Sequence, residues 1–321
     1  MSDASSTSPP DVSIVIVSWN VRDFLRDCVR SVIDETQAEH EIIVVDNASH
    51  DGSPQMLAEE FPDVRVIAND VNLGFAAANN QGIQIARGRN LLLLNPDTLV
   101  LDGAIDTMLE WLAGRADVGC VGCQVLETAT EIQMTCFADP GPLSIFLSET
   151  GIHRLFPLSR FLGNPYYRGW DRTDERDVDV VSGMFMLLPR RVVEEVGLMD
   201  DSFFVYAEEA DWCRRIRDAG HRCVFSPVAR IMHLEGGGKS TVQIRPQMYV
   251  QLQKSKMIYV NKHYGPVGRA SAKLTFLGSM VMRGLLFGSL ALISPNSDAP
   301  ARARLAWAAA RFHLTAEEPA P

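Results

Sequence analysis

The sequence predicts an α/β fold: an open, mostly parallel sheet with flanking helices, followed by a helical C-terminal extension. Three observations carry this. Short, almost wholly apolar runs rich in β-branched residues recur along the first 125 positions. Segments with helical apolar spacing lie between them. Polar residues gather where the apolar runs stop. Alternating strand and helix of this kind gives a sheet covered on both faces, whose strands are apolar throughout because neither side meets water.

The elements follow in order. "VSIVIVSW" (12–19), "EIIVVD" (41–46), "VRVIA" (64–68), "NLLLLN" (90–95) and "VGCVGC" (118–123) are the strands. Phe24, Leu25, Cys28, Val29, Val32 and Ile33 mark the first helix, and Met56, Leu57 and Phe61 the second. An alanine-rich third helix over 75–87 stops at Gly88. The fourth, 102–115, carries Ile105, Met108, Leu109 and Leu112. Residues 125–177 read as a long specificity loop, rich in Gly, Pro and aromatics. Strand character returns over "VDVVSGMFMLLP" (178–189), helix over "AEEADWCRRIRDAG" (207–220), and strand in "HRCVFSP". The resulting division is a disordered polar tail (1–11), a globular α/β domain (12–265) and a helical, basic C-terminal region (266–321).

Composition narrows the function classes. The tail lacks the apolar core of a signal peptide, and six scattered cysteines suit a reducing cytoplasm. Cys120 and Cys123 form one C-x-x-C without a second pair, so they read as buried structural thiols. The net charge is −10, but nine Lys and Arg between Lys254 and Leu314 face one acid, Asp298. That stretch is +8 and the remainder −18, which argues against nucleic acid and for an anionic partner at the C-terminal end.

In open α/β sheets ligands bind beyond the carboxyl ends of the strands. Here strand one ends in Ser18-Trp19-Asn20, strand two in Asp46-Asn47-Ala48-Ser49 and strand four in Asn95-Pro96-Asp97. One such end could be a helix cap or turn; three on one rim make a binding site. The helix after Tyr206 adds a carboxylate. Trp212, Cys213, Ile216 and Ala219 form its apolar stripe, and Glu209 stands three and seven residues before Trp212 and Ile216. An inward carboxylate is costly unless paired or functional, and in a cleft it suits a general base. Asp211 can pair with Arg215 at i,i+4.

"VIVSWN", "VVDNASHDGS", "NLGFAAANN", "LLLNPDT", "VSGMFMLLPR" and "FFVYAEEADWCRRIRDAGHR…HLEGGGKS", in this order, resemble the family 2 nucleotide-sugar glycosyltransferases of GT-A fold. Within that family the chain looks like bacterial rhamnosyltransferases that build cell-surface glycans, from Val12 to about Gly265. The resemblance implies that Val17, Trp19 and Asn20 line a nucleobase pocket, with Asp46 on the base or ribose and Asn47 beside it. It implies that Asn72, Gly74, Phe75 and Asn79 follow the ribose and diphosphate. Asn95-Pro96-Asp97 takes the place of a D-x-D metal motif and His233 that of a second ligand. A hard cation, Mg²⁺ or Mn²⁺, would neutralise the departing diphosphate through Asp97. Asn95 departs from the pattern, since an amide carries no charge, and could hold a metal-bound water. The family's Glu-Asp is Glu208-Glu209 here, so the base maps to Glu209, one methylene longer. Gly183 would allow close approach on the acceptor side. The glycines of "HLEGGGKS" read either as a mobile loop over the donor, with Lys239 near phosphate, or as a plain surface turn.

"HLEGGGKS" is not a P-loop, since His233 stands where the first glycine is required. No G-x-G-x-x-G follows strand one, which speaks against a nicotinamide enzyme. Leu274 to Ile293 is about long enough to span a bilayer, but Arg283 sits at its middle. A helix lying on an anionic, cytoplasmic membrane surface is favoured over one packed on the domain, and a true span comes third. The expected activity is inverting transfer from a nucleotide-sugar donor to a glycan or lipid-linked acceptor, at the inner face of the cell membrane. The rival reading is a non-catalytic sugar-nucleotide or glycan-binding protein on the same fold.

Overall fold

The computed structural model describes residues 8–159, 161–234 and 245–315. They form two compact units. The first holds residues up to Cys136, Asp171–Phe204 and 211–234. The second holds Phe137–Trp170, Val205–Ala210 and the residues from 245 onward.

The first unit is a nine-stranded sheet ordered β3-β2-β1-β4-β8-β6-β9-β5, with β7 paired to β9. The strands β1 (Val12–Ser18), β2 (His40–Asp46), β3 (Arg65–Ala68) and β4 (Asn90–Leu94) are parallel. Their apolar runs are buried because helices cover both faces, with α1 (Arg22–Glu35), α2 (Ser53–Glu60), α3 (Phe75–Ile85) and α4 (Ala104–Leu112) in the connections. Beyond β4 the sheet becomes mixed. β5 (Thr98–Val100), β7 (Arg176–Asp177) and β8 (Phe185–Pro189) run antiparallel to their neighbours, while β6 (Val118–Leu126) and β9 (Arg222–His233) are parallel to each other. A buried carboxylate anchors the amino ends. Glu41 accepts from Ser13 Oγ at 2.6 Å, from the Arg87 amide at 2.6 Å and from Arg65 at 3.0 Å. Burial pushes its carboxyl up, but these donors outweigh that and hold it below the usual range.

Three expectations are corrected. α3 ends at Ile85, because Ala86 is extended, so Gly88 is not its cap. Gly88 is glycine because the chain lies against the Ser13 backbone, where a Cβ has no room, and its amide donates to Ser13 Oγ at 2.7 Å. The 178–189 strand begins only at Phe185, since Gly183 and Met184 form a turn. Residues 125–177 are not one loop. They contain the end of β6, β7 and two helices, α5 (Pro142–Thr150) and α6 (Ile152–Leu155). Pro142 opens α5, where its missing N–H costs nothing, and left-handed Gly151 closes it. The six cysteines are free and buried, as the C-x-x-C reading requires.

The second unit is helical. α5 and α6 join the long α9 (Arg245–Ile293), which kinks at Gly265 (φ 64°) before Pro266, and α10 (Ala299–Thr315). α10 lays Ala303, Ala306, Ala309 and Ala310 against α9, and the Trp307 ring fills the space a side chain at Gly284 would take. His313 Nε2 meets Gln253 Oε1 at 2.6 Å, and its ring stacks on Phe276 at 5.1 Å. Asp139 accepts from Tyr259 at 2.6 Å and Tyr264 at 2.7 Å.

Candidate functional site

The carboxyl ends of β1, β2 and β4 are adjacent because β1 lies between the other two. Ser18 and Asp46 are register partners at two of these ends. Ser18 Oγ and Asp46 Oδ1 are both buried, without hydrogen-bond partners among the described residues, while Asp46 Oδ2 accepts from the Ser49 amide at 2.9 Å. A buried acceptor left unmet costs about 1–3 kcal/mol, so a ligand donor placed there is rewarded. Val17 is half-buried on β1, and Trp19 is 40% exposed beside it. Asn20, at φ 55°, stitches the two loops: its amide donates to Ser49 Oγ at 2.9 Å and its Oδ1 accepts from the His50 amide at 2.8 Å.

Asn47 has a different surrounding from a ligand contact. Its Nδ2 donates to Asn72 Oδ1 at 2.8 Å and to the Gly74 carbonyl at 3.2 Å. Its Oδ1 accepts from the Leu73 amide at 3.0 Å and Asn69 Nδ2 at 3.2 Å. Asn72 Oδ1 also takes the Gly74 amide at 2.9 Å. Asn79 is buried and donates back to the Phe75 carbonyl at 2.9 Å within α3. The loop before α3 is thus held from inside by amides. Gly74, at φ 86° and ψ 172°, sits where a Cβ would strike the Phe204 carbonyl, which itself accepts from the Phe75 amide at 2.7 Å. The Phe75 ring faces Gly183, where an added Cβ would stand 3.2 Å from it.

β4 delivers Asn95-Pro96-Asp97, and β9 delivers His233. The β5–β9 register pairs Thr98 with His233, which places the two side chains together: Asp97 Oδ2 lies 3.0 Å from His233 Nε2. Asp97 Oδ1 and His233 Nδ1 are buried without hydrogen-bond partners among the described residues. The Asp97 carbonyl accepts from Leu234, and the Asn95 amide donates to Met184, so the 183–184 turn borders the tip. Cys28 lies beneath, its Sγ 3.4 Å from the Asn95 carbonyl; burial pushes its thiol up to about 12. One carboxylate and one imidazole suit a cation that completes its shell with diphosphate and water oxygens. No group of three His, Cys, Asp or Glu placed to hold a metal ion is present among the described residues.

α8 (Glu208–Asp218) follows two non-glycine residues in left-handed conformation, Tyr206 (φ 71°) and Ala207 (φ 67°), a costly arrangement that marks functional turns. Glu208 is 3% exposed, and burial, then the neighbouring Glu209, push its carboxyl well above the usual range. Glu209 is half-buried. Asp211 is fully buried and takes Arg215 at 2.9 Å. Arg215 also donates to the Val196 and Leu198 carbonyls, so this ion pair ties α8 to the end of α7 (Arg190–Val196). Lys239 lies outside the described residues. Phe204 and the Tyr206-Ala207 turn were not singled out from the sequence; the close aromatic string "FFVY" was the available signal.

Residues 13–197 match the family model described as glycosyl transferase family 2. The chain is 25% identical over 289 residues to N-acetylglucosaminyl-diphospho-decaprenol L-rhamnosyltransferase of Mycobacterium tuberculosis, covering 85% of this chain and 91% of that one. It is 29% identical over 238 residues to the succinoglycan biosynthesis protein ExoO of Rhizobium meliloti, covering 73% and 63%. Among solved structures it is similar to the mannosyltransferase PcManGT from Pyrobaculum calidifontis in complex with GDP-Man and Mn²⁺. That likeness has a TM-score of 0.54 at 19% identity and covers 97% of this chain and 89% of that one. It shows a shared GT-A fold.

Proposed function

The chain belongs to glycosyl transferase family 2, and on that premise we propose that it is an inverting, cation-assisted enzyme that moves L-rhamnose from dTDP-L-rhamnose to a lipid-linked glycan acceptor in cell-surface polysaccharide synthesis. The observation that carries the donor site is the Asp97–His233 pair at the strand tips, with one orphaned carboxylate oxygen and one orphaned imidazole nitrogen. The donor and acceptor are supported by the rhamnosyltransferase relative, whose name specifies a diphospho-decaprenol acceptor.

In this reading Asp46 and Ser18 receive the base and ribose, with Trp19 beside them, and the 72–75 loop follows the diphosphate. Asp97 and His233 would hold Mg²⁺ or Mn²⁺, with Asn95 adjacent through water; the bound cation supplies positive charge against the leaving diphosphate. Glu209 takes the proton of the acceptor hydroxyl as that oxygen attacks the anomeric carbon. The bond to the diphosphate breaks on the opposite face, and the nucleoside diphosphate leaves with its electron pair. Burial, then the charge of Glu209, raises the Glu208 carboxyl well above its ordinary value, which favours the protonated form of Glu208 beside the Glu209 carboxylate.

The same proposal places the protein on the cytoplasmic, anionic face of the cell membrane. α9 includes a segment, Gln247–Ile293, long and apolar enough to cross a bilayer by length and composition. Its Arg283, however, is tied inward: it donates to the Glu149 carbonyl at 2.7 Å and Tyr249 at 2.9 Å and pairs with the Glu149 carboxylate at 3.0 Å. A span would have to carry that whole set into hydrocarbon, which favours a helix lying on the surface.

A thermal-shift screen of sugar nucleotides with and without Mn²⁺ tests the donor reading. dTDP-L-rhamnose is expected to stabilise the protein, and more with Mn²⁺. No response to any nucleotide sugar would contradict it.

A further inference from the structure

We propose that the outward apolar side chains of α5, α6 and the turn after them, on residues 142–159 and Phe161, form a wedge that enters the interfacial layer of the bilayer, a second membrane contact beside the C-terminal helices, while the Glu149–Arg283 pair stays on the protein side. It deepens the membrane attachment proposed above and rests on it. The motive is a set of large apolar side chains turned outward. Leu155, Leu158 and Phe161 are 74%, 83% and 81% exposed, and Leu143, Phe146 and Phe156 are also exposed. Single exposed leucines are ordinary, but six within twenty residues are an exposed patch, and such patches mark interaction sites.

The backbone of the turn is suited to an apolar medium. A loop entering hydrocarbon must satisfy its polar groups internally. Here the Ser159 amide donates to the Phe156 carbonyl at 3.1 Å, and the Gly163 amide to the Ser159 carbonyl at 2.9 Å. Ser159 Oγ accepts from the Phe161 and Leu162 amides at 3.3 and 3.1 Å. Gly163 is packed so closely on the Pro157 carbonyl that a Cβ would collide with it, at 2.5 Å. Buried His153 fixes the base of the turn: its Nδ1 lies 2.9 Å from the Leu147 carbonyl and its ring against Tyr166. The turn is thus closed on itself while its leucines and phenylalanines stay in water.

Charge selects a membrane over a protein surface as the occupant. Within 142–170 the one acid is Glu149, which is paired with Arg283, and Arg154 and Arg168 are exposed. α5 lies along α9, with Pro142 next to Gly268 near one end and Glu149 on Arg283 near the other. α9 shows an outward apolar stripe of its own at Leu274, Met282, Leu285 and Leu286, with exposed Arg269 and Lys273 preceding or flanking it. Apolar insertion bordered by cations fits anionic phospholipid.

The test uses the full chain with a single added cysteine, Leu158→Cys, carrying an environment-sensitive fluorophore; the six native cysteines are buried. Vesicles of phosphatidylcholine alone and with phosphatidylglycerol are added. The probe is expected to shift to the blue with anionic vesicles, and a lipid-borne quencher should reach it. The double variant Leu158→Ser/Phe161→Ser should bind these vesicles at least about tenfold more weakly, with an unchanged far-UV spectrum. A protein that binds vesicles while its probe stays in water overturns the wedge and leaves the C-terminal attachment standing. A wild-type chain that binds no vesicle overturns both. A concentration-dependent dimer broken by the double variant, with the probe unresponsive to lipid, would assign the patch to a second copy and overturn the proposal.

Discussion

Asp97 and His233 lie 3.0 Å apart because the β5–β9 register sets Thr98 opposite His233, one residue beyond the strand-four tip. The pair is therefore an outcome of sheet geometry between segments more than a hundred residues apart. Asp97→Ala is expected to abolish Mn²⁺-dependent binding of a nucleoside diphosphate while the fold survives, since the side chain is partly exposed and outside the apolar core. Calorimetry with and without Mn²⁺ checks it. Unchanged metal dependence would remove Asp97 from the site.

Gly74→Ala should be destabilising by roughly 1–3 kcal/mol or more, because its backbone conformation is one that only glycine adopts readily and the new Cβ meets the Phe204 carbonyl. Donor affinity should fall with it, as the loop before α3 moves. Denaturant unfolding together with nucleotide titration measures both effects.

Asn47→Ala should lower stability by about 1–3 kcal/mol in the absence of any ligand, since it leaves loop donors and acceptors unmet. A residue whose role was base contact alone would alter nucleotide affinity and leave unfolding of the free protein unchanged. The two measurements separate the roles.

The strand tips were legible because the runs before them are buried on both faces, and such runs announce both their interior and their ends. Asn47 was legible as a rim residue, but sequence cannot show that all its side-chain bonding is spent on the 69–74 loop. The α8 stripe was readable from Trp212 and Ile216, yet Glu208 stands four residues before Trp212 and Glu209 three. Helical spacing admits either, and packing buries Glu208 more deeply. Residues 142–155 hid two helices because Leu143, Phe146 and Leu155 face water while Ile145 and Leu147 are buried, so apolar side chains stand on both faces and the periodicity that reveals a core-facing helix was absent. The antiparallel β8 depends on a turn at Gly183 and Met184, within a run that reads as continuous strand.

His313 gives a pH dependence. Burial, then the charge of Lys273, lowers its pKa from 6.5 to about 4. The unfolded chain therefore binds more protons than the folded one between these values, and stability rises with pH there. As pH falls from 6.5 towards 4, α10 should lose docking free energy, up to about 3 kcal/mol. Trp307 fluorescence during denaturant titration at several pH values reports it. His313→Phe should flatten this part of the profile.

The most direct test of the enzyme reading is turnover by the Glu209→Gln variant. The amide keeps the shape and removes the base. With Mn²⁺, dTDP-L-rhamnose and a polyprenyl-diphosphate-linked sugar, the wild-type chain should release dTDP in step with acceptor glycosylation. Glu209→Gln should bind the donor with unchanged affinity and transfer about 10²–10⁴ times more slowly. A variant that turns over at the wild-type rate would place the base elsewhere. A wild-type chain that binds the donor, and transfers nothing to any sugar acceptor, would contradict the account and leave a binding protein on a glycosyltransferase fold.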